Sequence, residues 1–400
     1  MITVAEAEKL VLAQVREYGT QTLPFEQALG YVLAEDLKAD RDLPPFNRVT
    51  MDGIALKYAS VKKGIKIFRI KATQAAGEKP VELAQEDECI EIMTGAVLPL
   101  SADTVIRYED LEISEGKATL LPAEMKQGQN LHLRGADKKQ GDMVAKAGVV
   151  VSPAVISLAA SIGKSQLLVK TVPRVMIISS GDELVDVDET PSSFQIRKSN
   201  SYTIKAVLKK HNINADLLHI PDDPVITRQK ISNCIQNYDV LLLSGGISMG
   251  RFDYIPQALE DSGVEKLFHK VAQRPGKPFW FGRHGQSGAL VFAFPGNPVA
   301  TFMCLHRYFL TWLNATLGLP AKKVTYAALG NDFTFKPELR YFLQVTLQTN
   351  EQAQLIAIPV EGNGSGDFAN LADTEAFLEL PMERSEFKKG EVFRVWRFTD

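Results

Sequence analysis

Most of the chain's chemistry-bearing residues sit in five short loops, each following an apolar run. VMIIS (175–179) leads into SGDELVD, LLHIP into DDP, VLLLS (240–244) into GGISMGRFD, VEKLFHKVA into QRPGKP, and LVFAF into PGNP. A single such loop is an ordinary turn; five of them, each with Gly, Asp or a base, point to a site. Gly245, Gly246 and Gly250, with Ser248 among them, let backbone N–H groups approach an anion with no Cβ in the way. GxxxxGK[ST] and a strand-borne GxGxxG are absent, and Ser248 lacks a GxSxG setting. Lys270, Arg274 and Lys277 form a basic cluster suited to phosphate or another oxyanion. If 270–274 is extended, Lys270 and Arg274 share one face. Glu183, Asp222 and Asp253 bring carboxylates to three loops. Beside a phosphate they suit Mg²⁺, which takes one or two carboxylates plus substrate phosphates. Asp182 and Asp223 compete for these roles, and any one Asp could instead cap a helix. Asn297, followed by Pro298, reads as a cap whose helix start could also take an anion.

Two further loops carry polar residues: TMDG (50–53), and IMTGAVLPLSADTVIRYED (92–110) with Thr94, Asp103 and Glu109. Alone, neither is specific. The six histidines show no metal spacing and receive no role. Cys89, Cys234 and Cys304 lie far apart without a CxxC pair, so they read as buried small hydrophobes, not disulfides, zinc ligands or nucleophiles.

The strand-end loops need a sheet to align them. VMIIS, VLLLS and LVFAFP are the apolar runs of buried parallel strands, and NADLLHIP (214–221) reads as another strand. Helical patterns lie between them at Tyr202 to His211, Pro224 to Gln236 and Tyr254 to Glu260, and a last helix runs from Pro298 to about Leu317. The alternation predicts right-handed βαβ units in a doubly wound sheet, with ligands beyond the carboxyl ends of its strands. Upstream, the T-x-x-E box at Thr3–Glu6 predicts a helix over about 4–17. TLPFEQALGYVLAEDL reads as a short helix turning into an extended segment, and 54–130 as short strands. Segment 142–170 reads as an extended stretch and a small helix. Strands return after 320 as a small all-β unit.

Composition sets the outer bounds. The 400 residues are 45% hydrophobic and 23% charged, an ordinary soluble balance long enough for several cores. A net charge of −3 gives no basic excess for nucleic acid. No apolar run reaches the ~18 residues of a membrane span, and the N-terminus lacks a signal-peptide core, so the expected compartment is the cytoplasm.

Taken in order, PPFNRVTMDGIAL, IMTGAVLPLSADTVIRYED, RGADKKQGD, PRVMIISSGDEL, KSNS, LLLSGGISMGRFD, VAQRPGKP and FPGNPVATF resemble the molybdopterin molybdenumtransferase family, the MoeA type that includes the gephyrin E domain. The resemblance covers nearly the whole chain. It implies a multidomain α/β plus β fold. An elongated N-terminal domain is built from two segments (1–42 and 138–170), with a mostly-β domain inserted at 43–137. A MogA-like doubly wound molybdopterin-binding domain (171–318) and a small C-terminal β-barrel (319–400) follow. It also implies Mg²⁺-dependent insertion of molybdate into adenylyl-molybdopterin with release of AMP, in a homodimer whose cleft is shared between subunits. Contact with the molybdopterin adenylyltransferase is a further implied partnership; nucleic acid and membrane are not.

On that resemblance Asp52, Thr94, Glu183, Lys270 and Arg274 are catalytic. Asp137, Ser180, Gly181, Ser199, Asn200, Gly245, Gly246, Ser248, Gly250, Lys277, Pro295, Pro298 and Ser365 bind substrate. Glu183, Asp222 and Asp253 hold the metal. The chain departs from the family pattern at Ile54 (usually Tyr), Ala136 (usually Glu), Lys198 (usually Asp) and Arg274 (commonly Lys), and Ser180 keeps a hydroxyl where Thr is usual. The related adenylyltransferases share the α/β domain but are compact single domains, which the ~170 preceding residues and the β tail argue against. A molybdopterin-binding scaffold or pseudoenzyme is the other alternative.

Overall fold

The computed structural model describes residues 1–122, 124–247, 254–321, 323–360 and 369–399. Its centre is a six-stranded sheet of β1 (Val175–Ser180), β2 (Asp216–Ile220), β3 (Val240–Ser244), β4 (Val264–His269), β5 (Trp280–His284) and β6 (Leu290–Phe294). The order is β2-β1-β3-β6-β5-β4. Strands β2, β1, β3 and β6 are parallel, as the unbroken apolar runs of β1, β3 and β6 predict; β2 is a largely exposed edge strand. β5 is antiparallel to both neighbours, and the sequence pattern had not singled it out. Its cause is connection length: residues 270–279 between β4 and β5 are too few for the crossover of a dozen or more that a parallel pair needs. Two reversals leave β4 running the same way as β6, so all five loop-bearing strand ends share one edge.

Both faces of this sheet are covered. One packs on an aromatic cluster with Phe268, Phe279, Phe281, Phe292, Phe294 and Trp312, the other on Ile178, Ile231, Leu241, Leu243 and Trp280. Covering helices are Asn200–Lys209, Pro224–Asn237 and Ile255–Asp261. The last helical run, Pro298 to Thr316, is continuous but widens to a π turn at Leu305–Phe309. The N-terminal helix spans Val4–Leu12, with the Thr3–Glu6 capping box formed. It stops short of the expected residue 17, where Gln14 and Arg16 are taken up by tertiary contacts: Trp312 Nε1 donates to the Gln14 carbonyl at 3.0 Å, and Arg16 Nη1 donates to the Ser287 carbonyl at 3.4 Å. Val4, Ala7 and Val11 enter the aromatic cluster, so this helix packs on the α/β layer although its segment was assigned to the elongated unit.

Two separated segments build the next unit. Thr20–Pro24 pairs antiparallel with Gln166–Lys170, and Leu37–Lys38 with Met143–Ala145, over a core that includes Leu33, Leu37, Val155, Ala159 and Leu167. The short helix expected near residue 25 is a single 3₁₀ turn, Phe25–Gln27. Between the segments lies a second six-stranded sheet, ordered Thr104–Arg107, Gly53–Leu56, Glu88–Ile92, Ile67–Gln74, Lys117–Leu120, Leu111–Ser114, with a core on each face. At the C-terminus five strands close on themselves: Arg340–Thr349, Leu355–Pro359, Thr325–Leu329, Val392–Arg397 and Ala376–Leu380, the last pairing back to the first. Gln273–Arg274, from the loop between β4 and β5, adds to this barrel as a parallel partner of Arg340–Tyr341.

Candidate functional site

The strand-end loops are tied together by side chains. Asn200, at the first turn of its helix, donates from Nδ2 to Ser244 Oγ at 2.7 Å and to the Gly296 carbonyl at 2.8 Å. One amide thus joins the Gly-Gly loop after β3 to the PGNP loop after β6. Gly245 donates its N–H to the Phe294 carbonyl at 3.2 Å. Gly245 and Gly246 have φ of 92° and 68°, and a Cβ at Gly246 would meet Ile255 and Ser180 Oγ at 2.6 and 2.7 Å, so only glycine fits there. Ser180 Oγ is buried beside these glycines with no hydrogen-bond partner among the described residues. A buried hydroxyl left unpaired is costly, and at a loop cluster it marks a place for a ligand's polar atom. Ser199 precedes the helix without a side-chain cap bond. Asn297 caps the last helix, accepting from Ala300 N–H at 3.3 Å, with Pro298 following it; the Pro295 carbonyl accepts from Thr301 Oγ1 at 2.6 Å.

Among the acidic residues the structure separates roles that the sequence left open. Asp223 is a helix cap, accepting from Val225 and Ile226 N–H at 2.9 and 2.8 Å. Asp182 accepts from the Asp222 N–H at 3.1 Å, which links the loops after β1 and β2. The Glu183 carboxylate folds back over Gly181, whose φ of 122° and lack of a Cβ leave room for it. Among the described residues no three His, Cys, Asp or Glu side chains gather as a metal site. Asp253 lies outside the described residues, as do Ser248, Gly250 and Ser365.

The basic loop is not the extended segment that would align Lys270 with Arg274. Lys270 has φ of 70°, and the Val271 N–H donates to the Lys277 carbonyl at 2.9 Å, so the chain folds over on itself. Lys270 and Lys277 are drawn together at the loop's base. Arg274 instead faces the barrel, its guanidinium 5.9 Å from the Phe335 ring centroid. The residue that holds this fold is Gln273, fully buried and not singled out by the sequence. Its Oε1 accepts from the Tyr308 hydroxyl, and its Nε2 donates to the Gly276 carbonyl at 3.2 Å. A Gln between Ala and Arg carries no local signal; its partner Tyr308 lies in the last helical run.

Asp52 and Thr94, 42 positions apart, meet in the inserted sheet. Thr94 donates from both N–H and Oγ1 to Asp52 Oδ1, at 2.6 and 2.8 Å. These bonds, the backbone one foremost, hold the exposed Asp52 carboxyl below its ordinary range. Gly53 follows because a Cβ there would collide with the Ile106 carbonyl. Asp137 accepts from His132 at 2.9 Å, and its N–H donates to the Leu43 carbonyl at 2.9 Å. Asp52 with Thr94 and Asp137 with His132 are thus two hydrogen-bonded pairs in the region of the insert, and among the described residues no hydrogen bond from these side chains reaches the loops of the central sheet.

Three family models match consecutive parts of the chain. They are described as MoeA N-terminal region (domain I and II) over residues 2–163, probable molybdopterin binding domain over 176–315, and MoeA C-terminal region (domain IV) over 326–398. A molybdopterin molybdenumtransferase of Synechocystis sp. is 38% identical over 98% of this chain and 99% of its own. One of Staphylococcus epidermidis is 30% identical over 98% of this chain and 95% of its own. The crystal structure of the molybdopterin biosynthesis MoeA protein from Pyrococcus horikoshii OT3 is 25% identical, covers the whole of both chains and superposes with a TM-score of 0.83.

Proposed function

The chain belongs to the MoeA family of molybdopterin molybdenumtransferases, and from that premise we propose that it inserts molybdate into adenylyl-molybdopterin with release of AMP. The observation that carries this reading is the gathering of five polar loops at one sheet edge, two of them joined by Asn200, around the unpaired Ser180 hydroxyl. The substrates are anions; Gly246 would offer its N–H, and Lys270 and Lys277 their charge, to receive them. Arg274 offers a planar fork toward the barrel side.

Glu183 and Asp222 are the carboxylates that would hold Mg²⁺, with substrate phosphates completing its shell; Asp253 belongs to the same set. The fit rests on hard oxygen donors at two loops already joined through Asp182 and the Asp222 N–H. Bound there, the ion supplies charge neutralisation at the pyrophosphate. Ser180, Gly181, Ser199, Asn200, Pro295 and Pro298 shape the pocket. Asp52, set by Thr94, together with Asp137 forms the second group. In this reading it faces the first across the cleft of a homodimer, with the adenylyltransferase delivering the nucleotide-bearing substrate.

The test is AMP release from adenylyl-molybdopterin in the presence of molybdate and Mg²⁺. Release should depend on the protein and stop in Lys270→Ala; release at the same rate without the protein overturns the reading. Among the described residues no helix is long and apolar enough to cross a membrane.

A further inference from the structure

We propose that His132 is a positioning residue for Asp137, acting as a neutral imidazole with its proton fixed on Nε2. The short ladder of Arg48–Val49 with Leu131–His132 sets His132 directly opposite Arg48. Arg48 Nη2 lies 3.0 Å from His132 Nδ1, and His132 Nε2 lies 2.9 Å from Asp137 Oδ1. A guanidinium only donates and does not give up its proton. Nδ1 therefore presents its lone pair, and the single ring proton sits on Nε2, donating to the carboxylate. The other tautomer would set two donors against each other and turn a lone pair toward Asp137. A doubly protonated ring would keep Asp137 but oppose Arg48.

The neighbouring charges leave this line undisturbed. Arg134, two residues on, is taken by Asp42 at 2.6 Å, and Asp42 also accepts from the Gln140 N–H at 3.0 Å. Lys139 adds its charge to that same Asp42. Lys138 and Asp137 are pinned through their N–H groups to the Leu43 carbonyl, at 3.2 and 2.9 Å. The backbone at Asp137 is thus fixed without His132, and only the direction of the carboxylate depends on the ring. Arg48 is four positions before Asp52, so the ladder that carries His132 also leads into a residue assigned a catalytic role.

The functional consequence rests on the reading that Asp137 contacts substrate, and two measurements keep the two claims apart. Long-range ¹H–¹⁵N spectra of the ¹⁵N-histidine-labelled full chain at pH 8 should show His132 as the Nε2–H tautomer, and Arg48→Ala should loosen that preference. An Nδ1–H or charged ring overturns the proposal whatever the activity. In steady-state AMP release, His132→Ala should lower kcat about tenfold with an unchanged thermal midpoint. His132→Gln, whose amide can donate to Asp137 and accept from Arg48, should restore most of it. Wild-type kcat in His132→Ala overturns the proposal. Absence of turnover in the wild type defeats the proposed function instead, while the spectra still decide the tautomer.

Discussion

Thr94 spends two hydrogen bonds on a single oxygen of Asp52, and this fixes how that carboxylate responds to acid. The folded pKa is depressed, so Asp52 keeps its charge to a lower pH than a free carboxylate. Thr94→Val removes the hydroxyl bond and keeps the backbone one. The acid limb of turnover should then move to higher pH, read from a kcat/KM profile; an unmoved limb separates Asp52 from the rate. Asn200→Ala removes two bonds between loops. At about 0.5–1.5 kcal/mol each, turnover should drop roughly tenfold or more, with the melting temperature falling by only a few degrees.

The charge reversal at Lys198 also resolves at this scale. Its ammonium sits 3.0 Å from Asp186 Oδ2, and the Tyr202 hydroxyl donates to the other oxygen at 3.0 Å. The lysine bond, then the tyrosine bond, hold the Asp186 carboxyl below its ordinary range. The added cation is answered by an acid twelve residues upstream, which no local pattern could reveal. Ile54 is fully buried, a core residue rather than a surface of the site. The cysteines behave as their spacing predicts. All three are buried, and burial pushes the Cys89 and Cys234 thiols up to about 12 and about 11. A thiol-specific disulfide reagent at pH 8 should leave the native chain unlabelled and react only after unfolding.

At the scale of elements, what the sequence could say followed the kind of connection. Parallel strands announce themselves as unbroken apolar runs, and β1, β3 and β6 were legible for that reason. β5, with Gly282 and Arg283 in its span, lacks such a run and is defined by its neighbours. The common edge of the five loops was legible because the sheet rule places strand ends there. The shape of the basic loop was not, because it depends on Gln273 reaching Tyr308 in a helix 35 residues away. Gln273→Leu should leave the Tyr308 hydroxyl and the Gly276 carbonyl without their buried partner, at about 1–3 kcal/mol for each group left unpaired. Denaturant unfolding should show that loss together with a raised KM for molybdate. Lost stability with an unchanged KM would mean that the loop keeps its shape without Gln273.

Over the whole molecule, the units are joined through a buried arginine. Arg307, 3% exposed, donates from both Nη atoms to Glu8 at 2.9 Å and lies 4.1 Å from the Trp396 ring centroid. Arg394 lies 3.9 Å from that same ring, and Trp396 Nε1 donates to Glu379 at 2.7 Å. Arg307→Ala leaves an unanswered carboxylate and should cost about 3–5 kcal/mol, as breaking buried pairs does. Burial pushes the Glu8 carboxyl up, but the Arg307 hydrogen bond and charge override it and set it below its ordinary value. The pair therefore stabilises fully above the unfolded carboxylate pKa, and its contribution fades as pH falls through the lower folded value. Thermal midpoints followed into acid should decline more steeply for the wild type than for Glu8→Gln. Glu8, Arg307 and Trp396 lie far apart in sequence, so their joint was invisible there.

The pairing of Gln273–Arg274 with Arg340–Tyr341 gives this joint a second aspect. Two backbones that share hydrogen bonds also share the free energy of ordering them. An oxyanion that stills residues 270–277 must tighten the barrel's longest strand, and by reciprocity whatever clamps the barrel must raise the affinity for the oxyanion by the same factor. On the proposed function, this pairing would make the C-terminal unit an effector of anion binding in the thermodynamic sense.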